Sequence, residues 1–158
     1  EIEKNNFDFE NRSDSNLIST IKYVSKDKNG NIYQINSEYA EIKDDQLELV
    51  FMKNVVGVIR LNNSTPINIS SERAIYNKIT YDTNFYTNVL LTNDDHIITS
   101  DILDLFFGNN LATLTNNITY KNLNTTLQAD KIEIDLITKN SKIFMKNKNK
   151  KVKIININ

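Results

Sequence analysis

The stretch Ser71-Glu72-Arg73-Ala74-Ile75-Tyr76 belongs to a unit that the chain contains four times. A small residue and an acidic residue come first, and apolar residues follow three and five positions after the small one. The four copies are SEYAEI (37–42), SERAIY (71–76), SDILDL (100–105) and ADKIEI (129–134). Their starts lie 34, 29 and 29 residues apart. A period of this length is typical of an architecture built from stacked, similar units.

Each copy breaks the alternation of a straight β-strand at the same place. Ile69 and Ser71 share one parity, and Ala74 and Tyr76 share the other, so in a straight strand the two pairs would point to opposite faces. A helix would need apolar residues at the spacing i, i+3, i+4 and i+7, which no copy fits well. The pattern therefore predicts a β-strand with a bulge or bend at the acidic residue, which keeps one apolar face inward.

The composition indicates a single all-β domain. The 158 residues are enough to bury a core. The chain has only three glycines and one proline, so Asn and Asp are expected to form the turns between strands rich in Ile, Val, Thr, Tyr and Phe. A net charge of −1 argues against a general nucleic-acid binder. The absence of cysteine excludes disulfides and thiol chemistry.

Two regions are expected along the chain. Residues 1–16 are mostly polar, with isolated Phe7 and Phe9, which predicts a flexible linker. Residues 17–158 are expected to form one domain. No run approaches the roughly 20 apolar residues of a membrane span. Because the chain starts at Glu1 and not at Met, we expect that a targeting segment or membrane tether precedes it in the gene product.

The repeats predict an elongated antiparallel β-jelly roll of two facing sheets, because a single hairpin cannot bury its apolar face alone. The expected strands are 17–25, 31–42, 47–52, 54–61, 66–76, 79–92, 96–106, 111–123, 126–136 and 142–156. The first and last strands would remain open edges, to which another chain can add. The interior should be lined by Ile35, Ala40, Ile42, Leu49, Phe51, Ile69, Ala74, Tyr76, Phe85, Val89, Leu103, Leu105, Ile118, Ile132, Ile134 and Phe144.

No arrangement of residues points to catalysis. His96 is the only histidine, and without cysteine a metal site would need carboxylates alone. The sequence contains no nucleophile elbow, phosphate loop or zinc motif, so we expect neither an enzyme nor a cofactor. The regularly spaced acidic residues of the repeats are expected to accept backbone hydrogen bonds at the bend. These residues are Glu38, Glu72, Asp101 and Asp130.

The repeats and the segment before them resemble the OstA-like family of bacterial lipopolysaccharide-transport proteins, and within it the LptC branch. The resemblance rests on the small-acidic-x-aliphatic unit followed by Asn-Val or Asn-Ile, as at Asn54-Val55, Asn88-Val89 and Asn117-Ile118. It also rests on the lead-in turn Asp27-Lys28-Asn29-Gly30 before Tyr33-Gln34-Ile35. The similarity extends over roughly residues 17 to 155. The fourth unit departs from the pattern, because it ends in Met145-Lys146-Asn147-Lys148.

This resemblance implies a periplasmic domain tethered to the inner membrane by an N-terminal helix. Such a domain accepts lipopolysaccharide from an ABC transporter and passes it to a soluble bridge protein, with the acyl chains inside the groove. The resemblance implies lipid contacts for Ala40, Ile42, Leu49, Phe51, Ala74, Tyr76, Phe85, Val89, Leu103, Leu105, Ile118, Ile132 and Ile134. The implied pairing edges are Leu17, Ile21 and Tyr23 for the β domains of the transporter, and Lys142, Ile143, Phe144 and Met145 for the bridge protein.

Other interpretations stay open on the sequence alone. The apolar stripe fits a close-packed core equally well, as in a structural β-repeat protein without a ligand. The soluble bridge protein of the same family shares the repeat and needs no tether. The basic run from Lys146 to Lys153 fits a solvated face, or attraction to lipid phosphates or an acidic partner.

Overall fold

The computed structural model describes residues 15–145 and 153–156. Within these ranges all regular structure is β. The strands are β1 Ser15–Lys26, β2 Ile32–Lys43, β3 Leu49–Arg60, β4 Ile67–Asn77, β5 Thr83–Asn93, β6 His96–Phe106, β7 Leu111–Lys121, β8 Thr125–Asp135, β9 Ser141–Phe144 and β10 Lys153–Asn156. Strands β1 to β8 are neighbours in chain order in one antiparallel sheet, and β9 and β10 both pair with β8.

The broken alternation predicted from the repeats is confirmed. In β2, Ile35 and Ser37 are buried, Glu38 and Tyr39 are exposed, and Ala40 is buried again. The same pair of successive outward residues occurs at the middle of β3 and β4. In β5 three such residues separate the buried Phe85 and Val89. Each strand therefore bends there and keeps one face inward along its whole length.

Where an extra residue is inserted, however, it lies in the strand after the acidic residue, as in β5 after Glu72 and in β7 after Asp101. The β4–β5 register shifts where Thr87 and Asn88 of β5 have φ values of 63° and 54°. Strand β7 repeats this arrangement at Asn116 and Asn117. Asn54 of β3 also has a positive φ of 55°, but the β2–β3 register stays constant. Asparagine suits these positions because its short polar side chain tolerates the left-handed region.

The acidic residues are bonded to side-chain amides across the bend. Asn54 Nδ2 donates to Glu38 Oε2 at 2.5 Å, Asn88 Nδ2 donates to Glu72, and Asn117 Nδ2 donates to Asp101 Oδ2 at 2.7 Å. The expectation that these three carboxylates accept backbone hydrogen bonds was therefore wrong. In all three pairs the partners are 16 residues apart, so each bond joins the acidic residue of one repeat to the Asn of the next strand.

The bends divide the sheet into two half-sheets whose inner faces meet. The turns after β1, β3, β5 and β7 form one border, which we call the first rim, and the turns after β2, β4, β6 and β8 form the second rim. Tyr33 Oη, beside the first rim, donates to Asn110 Oδ1 of the second rim at 2.9 Å. The Tyr33 ring also packs edge-on against Phe107, with centroids 5.0 Å apart. The predicted jelly roll is therefore one continuous sheet folded along its line of bends.

Several expected strand limits were wrong. The expected strands 47–52 and 54–61 are one strand, β3, because the bend at Asn54 does not interrupt the pairing. Strand β5 begins only at Thr83, because residues 77–82 form a turn closed by hydrogen bonds from Tyr81 N to Asn77 O and from Asn77 N to Asp82 O. The expected last strand is two short strands, β9 and β10. Residues 1–14 of the expected linker and 146–152 of the basic run lie outside the described residues.

Three residues expected in the interior lie elsewhere. In β3 the buried residues before the bend are Val50 and Met52, so Leu49 and Phe51 lie on the outer face. There Lys43 Nζ is 4.3 Å from the centre of the Phe51 ring. The step of three residues from Val55 back to Met52 is the same parity break that the repeats show. Phe144 is 41% exposed.

Candidate functional site

A partly open cavity of about 470 Å³ lies between the two half-sheets, toward the β9 end of the fold, and is lined by residues of β3 to β9. Its floor is apolar and comes from both half-sheets. The first half-sheet contributes Ile59, Ile67, Ile69, Leu91, Ile98 and Leu127, and the second contributes Leu103, Leu105, Ala112, Ile132, Ile134 and Ile143. This volume lies in the range of roughly 300–1,000 Å³ that is usual for small-molecule sites.

The other end of the interior is filled. Tyr23 and Tyr76 stack with ring centroids 4.6 Å apart, and the fully buried Phe85 lies beside them. The remaining gap there measures only about 20 Å³. A Cβ atom on Gly57 would lie 3.2 Å from Phe85 Cζ, so the missing side chain at position 57 makes room for this ring.

Side-chain volume accounts for this difference between the two ends. From β1 to β5 the inward positions include tyrosines and Phe85, whereas from β6 to β8 they are mostly Leu, Ile and Ala.

Burial of the Tyr33 side chain, followed by the charge of Asp27, raises the pKa of Tyr33 to about 12. Burial and then the neighbouring Tyr76 raise the pKa of Tyr23 to about 12 as well. Both phenols are therefore neutral parts of the packed end.

Polar residues border the cavity at the rims. Lys139 Nζ, from the second rim, donates to Ser64 Oγ of the first rim at 2.7 Å. His96 Nδ1 is 2.7 Å from Tyr120 Oη, and the two rings stack. Asn122 Nδ2 donates to the same Tyr120 oxygen at 2.9 Å. The site thus combines an apolar floor with a hydrogen-bonding border.

Lys139 is placed by a turn that the fold uses twice. The segments NKITYD (77–82) and DLITKN (135–140) share one hydrogen-bond pattern, in which the first side chain accepts from the backbone N–H groups two and three residues later. The fifth residue has a positive φ in both, 64° at Tyr81 and 61° at Lys139. The pKa of Asp135 is lowered, first by the hydrogen bond from Thr138 N and then by the one from Ile137 N. Desolvation of the carboxylate acts in the opposite direction but is outweighed.

The predicted lipid-contact residues are distributed unevenly around this cavity. Leu103, Leu105, Ile132 and Ile134 line it, and Tyr76, Phe85 and again Leu105 border the small gap at the packed end. Ala40, Ala74, Val89 and Ile118 are buried in the core, and Ile42 packs against it. Lipid contact stays a prediction for all of these residues.

Some cavity residues were not expected from the sequence. Leu91, Ile98 and Leu127 precede the repeat units or lie in the strands between them, and inward parity from the bend would have identified them. The repeated turn with Ile-Thr at its centre is the signal that could have drawn attention to Lys139, whereas no local signal marks Ser64 of the β3–β4 turn.

The predicted pairing residues lie at the two ends of the sheet. Leu17, Ile21 and Tyr23 belong to β1, whose strand partner is β2; of these, Ile21 is fully buried. Lys142, Ile143 and Phe144 belong to β9, and Met145 follows it and packs against the core. Ile143 also lines the cavity.

The described residues show neither a metal-binding cluster nor a helix that could span a membrane. No group of three or more His, Cys, Asp or Glu side chains in this part of the chain is placed to hold a metal ion. Nor do residues 15–145 and 153–156 contain a helix with the length and hydropathy of a membrane span.

Comparison with known proteins agrees with this architecture. The crystal structure of LptH from Pseudomonas aeruginosa, the LptA-homologous periplasmic component of a lipopolysaccharide transport device, is similar with a TM-score of 0.57 and 11% sequence identity. The similar region covers 78% of this chain and 93% of LptH. No curated protein sequence matches significantly. The family described as lipopolysaccharide-assembly, LptC-related, matches residues 8–149, and the chain therefore belongs to this LptC-related family.

Proposed function

We propose that the protein is a periplasmic component of lipopolysaccharide export. In this role it accepts lipopolysaccharide from an inner-membrane ABC transporter and passes it to a periplasmic bridge protein. The observation that carries the proposal is the apolar cavity between the half-sheets, in a chain that belongs to a lipopolysaccharide-assembly family. Localisation in the periplasm, with a tether in the inner membrane, is part of the same proposal.

The energetics of lipid transfer explain why such a cavity is useful. Burial of an acyl chain is worth about 0.8 kcal/mol per methylene, so a lipid with several chains does not cross water unaided. An apolar floor that includes Leu103, Leu105 and Ala112 offers the chains a substitute for the membrane. The polar border leaves the sugars in water. The energy for movement then comes from the ATP-hydrolysing partner.

Photocrosslinking in cells that make lipopolysaccharide tests this proposal. A photoreactive residue at Leu103 or Ile132 is expected to form lipopolysaccharide adducts, because both side chains line the cavity. The matched control is Leu49, an aliphatic residue on the outer face of β3. Adducts at neither cavity position, in folded and correctly located protein, would mean that the cavity does not carry the lipid.

The positions of β1 and β9 at opposite ends of the described sheet support the proposed partner contacts. Phe144 in β9 is 41% exposed at the end opposite β1. We expect Phe144→Asp to weaken capture of the bridge protein, because a charge at an edge strand opposes pairing with a further strand. Ile79→Asp is the control, since Ile79 is 74% exposed in a turn away from either edge. Equal capture by both variants would contradict the assignment of β9.

A second candidate is the soluble bridge protein of the same transport system. This candidate is an LptA-like protein, and the fold similarity to LptH, which is an LptA homologue, supports it. Fractionation of cells that express the full gene separates the two. If the product is found in the inner-membrane fraction, the tethered component that receives lipid from the transporter is supported. If it is released with the periplasm, the soluble bridge protein is supported.

A further inference from the structure

We propose that Lys139 is a binding site for the anionic group of an amphiphile whose alkyl part occupies the cavity. This inference rests on the proposed lipid-carrying function and names the residue that would hold the charged end of the lipid. The structure shows Lys139 at the border of the cavity, on the second rim, with its ammonium directed to the first rim.

Among the described residues, the Lys139 ammonium has a neutral hydrogen-bond partner and no anionic one. Its ammonium donates to the Ser64 hydroxyl at 2.7 Å, and no carboxylate of the described residues forms an ion pair with it. Among the described cavity residues it is the only one with a permanent positive charge. The one carboxylate there, Asp135, already accepts from Ile137 N and Thr138 N at 2.9 Å each.

Hydrogen bonds from an ammonium to an anion are stronger than those to a neutral hydroxyl. An incoming phosphate or carboxylate is therefore a better partner for Lys139 than Ser64 is. The side chain is exposed, while the apolar floor beside it is buried at Ala112, Leu103 and Ile132. An occupant that satisfies both features has an alkyl chain and one anionic group close to it.

The twice-used turn provides an internal comparison. At the packed end, its fifth residue is Tyr81, whose ring packs edge-on against Phe107 at 5.2 Å. At the cavity end, the equivalent residue is Lys139, which reaches across the opening. The same backbone thus presents an aromatic ring where the interior is closed and a cation where it is open. It also shows that this turn accepts different side chains at a positive φ.

Displacement of the neutral fluorescent probe N-phenylnaphthylamine tests the inference. Dodecyl phosphate and the uncharged dodecyl maltoside are compared as competitors, each below its critical micelle concentration. Wild-type protein is expected to prefer dodecyl phosphate by roughly fivefold at low ionic strength, and salt should reduce this preference. Lys139→Gln should reduce the ratio of dodecyl phosphate affinity to maltoside affinity to about one, whereas Lys139→Arg should retain the preference.

Lys28→Gln is the matched control, because Lys28 is an exposed lysine in the β1–β2 turn that does not line the cavity. A preference that survives Lys139→Gln would overturn the assignment. Equal competition by inorganic phosphate alone would also overturn it, since the site would then bind free phosphate and not an amphiphile. Failure of both amphiphiles to displace the probe from wild-type protein would instead refute the lipid cavity itself.

Discussion

The serines of the repeats differ in their hydrogen bonding, although the repeats are alike in sequence. Ser71 Oγ donates to Arg73 O at 2.7 Å, and Ser100 Oγ donates to Ile102 O at 3.0 Å. Ser71 lies in β4 and Ser100 in β6, and each of these strands pairs with a strand that contains a bulge. Ser37 is 4% exposed, and its hydroxyl has no hydrogen-bond partner within the described residues. The hydroxyl therefore stabilises the bend only where the neighbouring strand contains the extra residue.

Alanine at these two serines should have different effects. Ser71→Ala is expected to lower the free energy of unfolding by about 1 kcal/mol, because the bend loses a partly buried hydrogen bond. Ser37→Ala should be neutral or slightly stabilising, because it removes a buried polar group that lacks a partner. Urea unfolding of both variants checks this. Equal losses would show that the Ser37 hydroxyl is satisfied in solution.

Glycine at position 57 is required by close packing. A Cβ atom there would lie 3.2 Å from Phe85 Cζ and 3.4 Å from Ile69 Cβ, so Gly57→Ala is expected to cost about 1–3 kcal/mol of stability. At Gly108 an added Cβ meets no atom within 4 Å. Gly108→Ala should therefore change stability by less than about 0.5 kcal/mol. Thermal unfolding of the two variants is the measurement, and a stable Gly57→Ala protein would mean that the Phe85 ring can move.

At the scale of single strands, β3 is the most direct test of the inward face. Met52 is 3% exposed, whereas Phe51 lies on the outer face against Lys43. We expect Met52→Ala to lower the free energy of unfolding by about 2–5 kcal/mol. Phe51→Ala should lower it by less than about 1 kcal/mol. Chemical denaturation distinguishes the two. A larger loss at Phe51 would restore the face that the sequence alone suggested.

The error in β3 shows what the repeats could and could not predict. They correctly predicted the all-β class, the jelly roll and the broken alternation in β2, β4, β6 and β8, because the small-acidic pair marks each bend. In β3 the inward residues also change parity, from Met52 to Val55 across the bend at Asn54. In β5 and β7 they keep the same parity, because these strands contain the extra residue. Because the inward parity of β3 changes at Asn54, the prediction that Leu49 and Phe51 face inward was wrong.

The location of the cavity could not be predicted from the strand pattern. Inward parity identifies which residues face the interior, but not whether the opposite side chain fills the space. Phe85 fills it because Gly57 lies beside it. Leu103 and Ile132 border open volume, although all three side chains are buried. Lys139 and Ser64 meet across 75 residues of sequence, and no local signal indicates that contact.

At the scale of the whole molecule, the packed end is held closed by neutral tyrosines that join the two half-sheets. Tyr33 Oη donates to Asn110 Oδ1 at 2.9 Å, and Tyr23 stacks on Tyr76. The pKa values of Tyr23 and Tyr33 are each raised to about 12, mainly by burial. A tyrosine pKa that is higher in the folded state means that folding favours the neutral phenol. The stability that this preference contributes is complete below about pH 10, the pKa of an unfolded tyrosine, and is lost as the pH rises toward the pKa of the folded state.

We therefore expect the melting temperature of the wild-type protein to fall steeply between about pH 10 and 12, where unfolding releases protons from these phenols. The double variant Tyr23→Phe/Tyr33→Phe should be less stable at about pH 8, because the hydrogen bond to Asn110 is worth about 1 kcal/mol. Its melting temperature should nevertheless decline less with rising pH. Tyr39→Phe, at a site 44% exposed, is the control and should follow the wild-type slope. Parallel slopes for all three proteins would show that the alkaline transition does not begin at the packed end, whereas a flatter slope for the double variant alone would identify the tyrosines as the groups that hold the two half-sheets together.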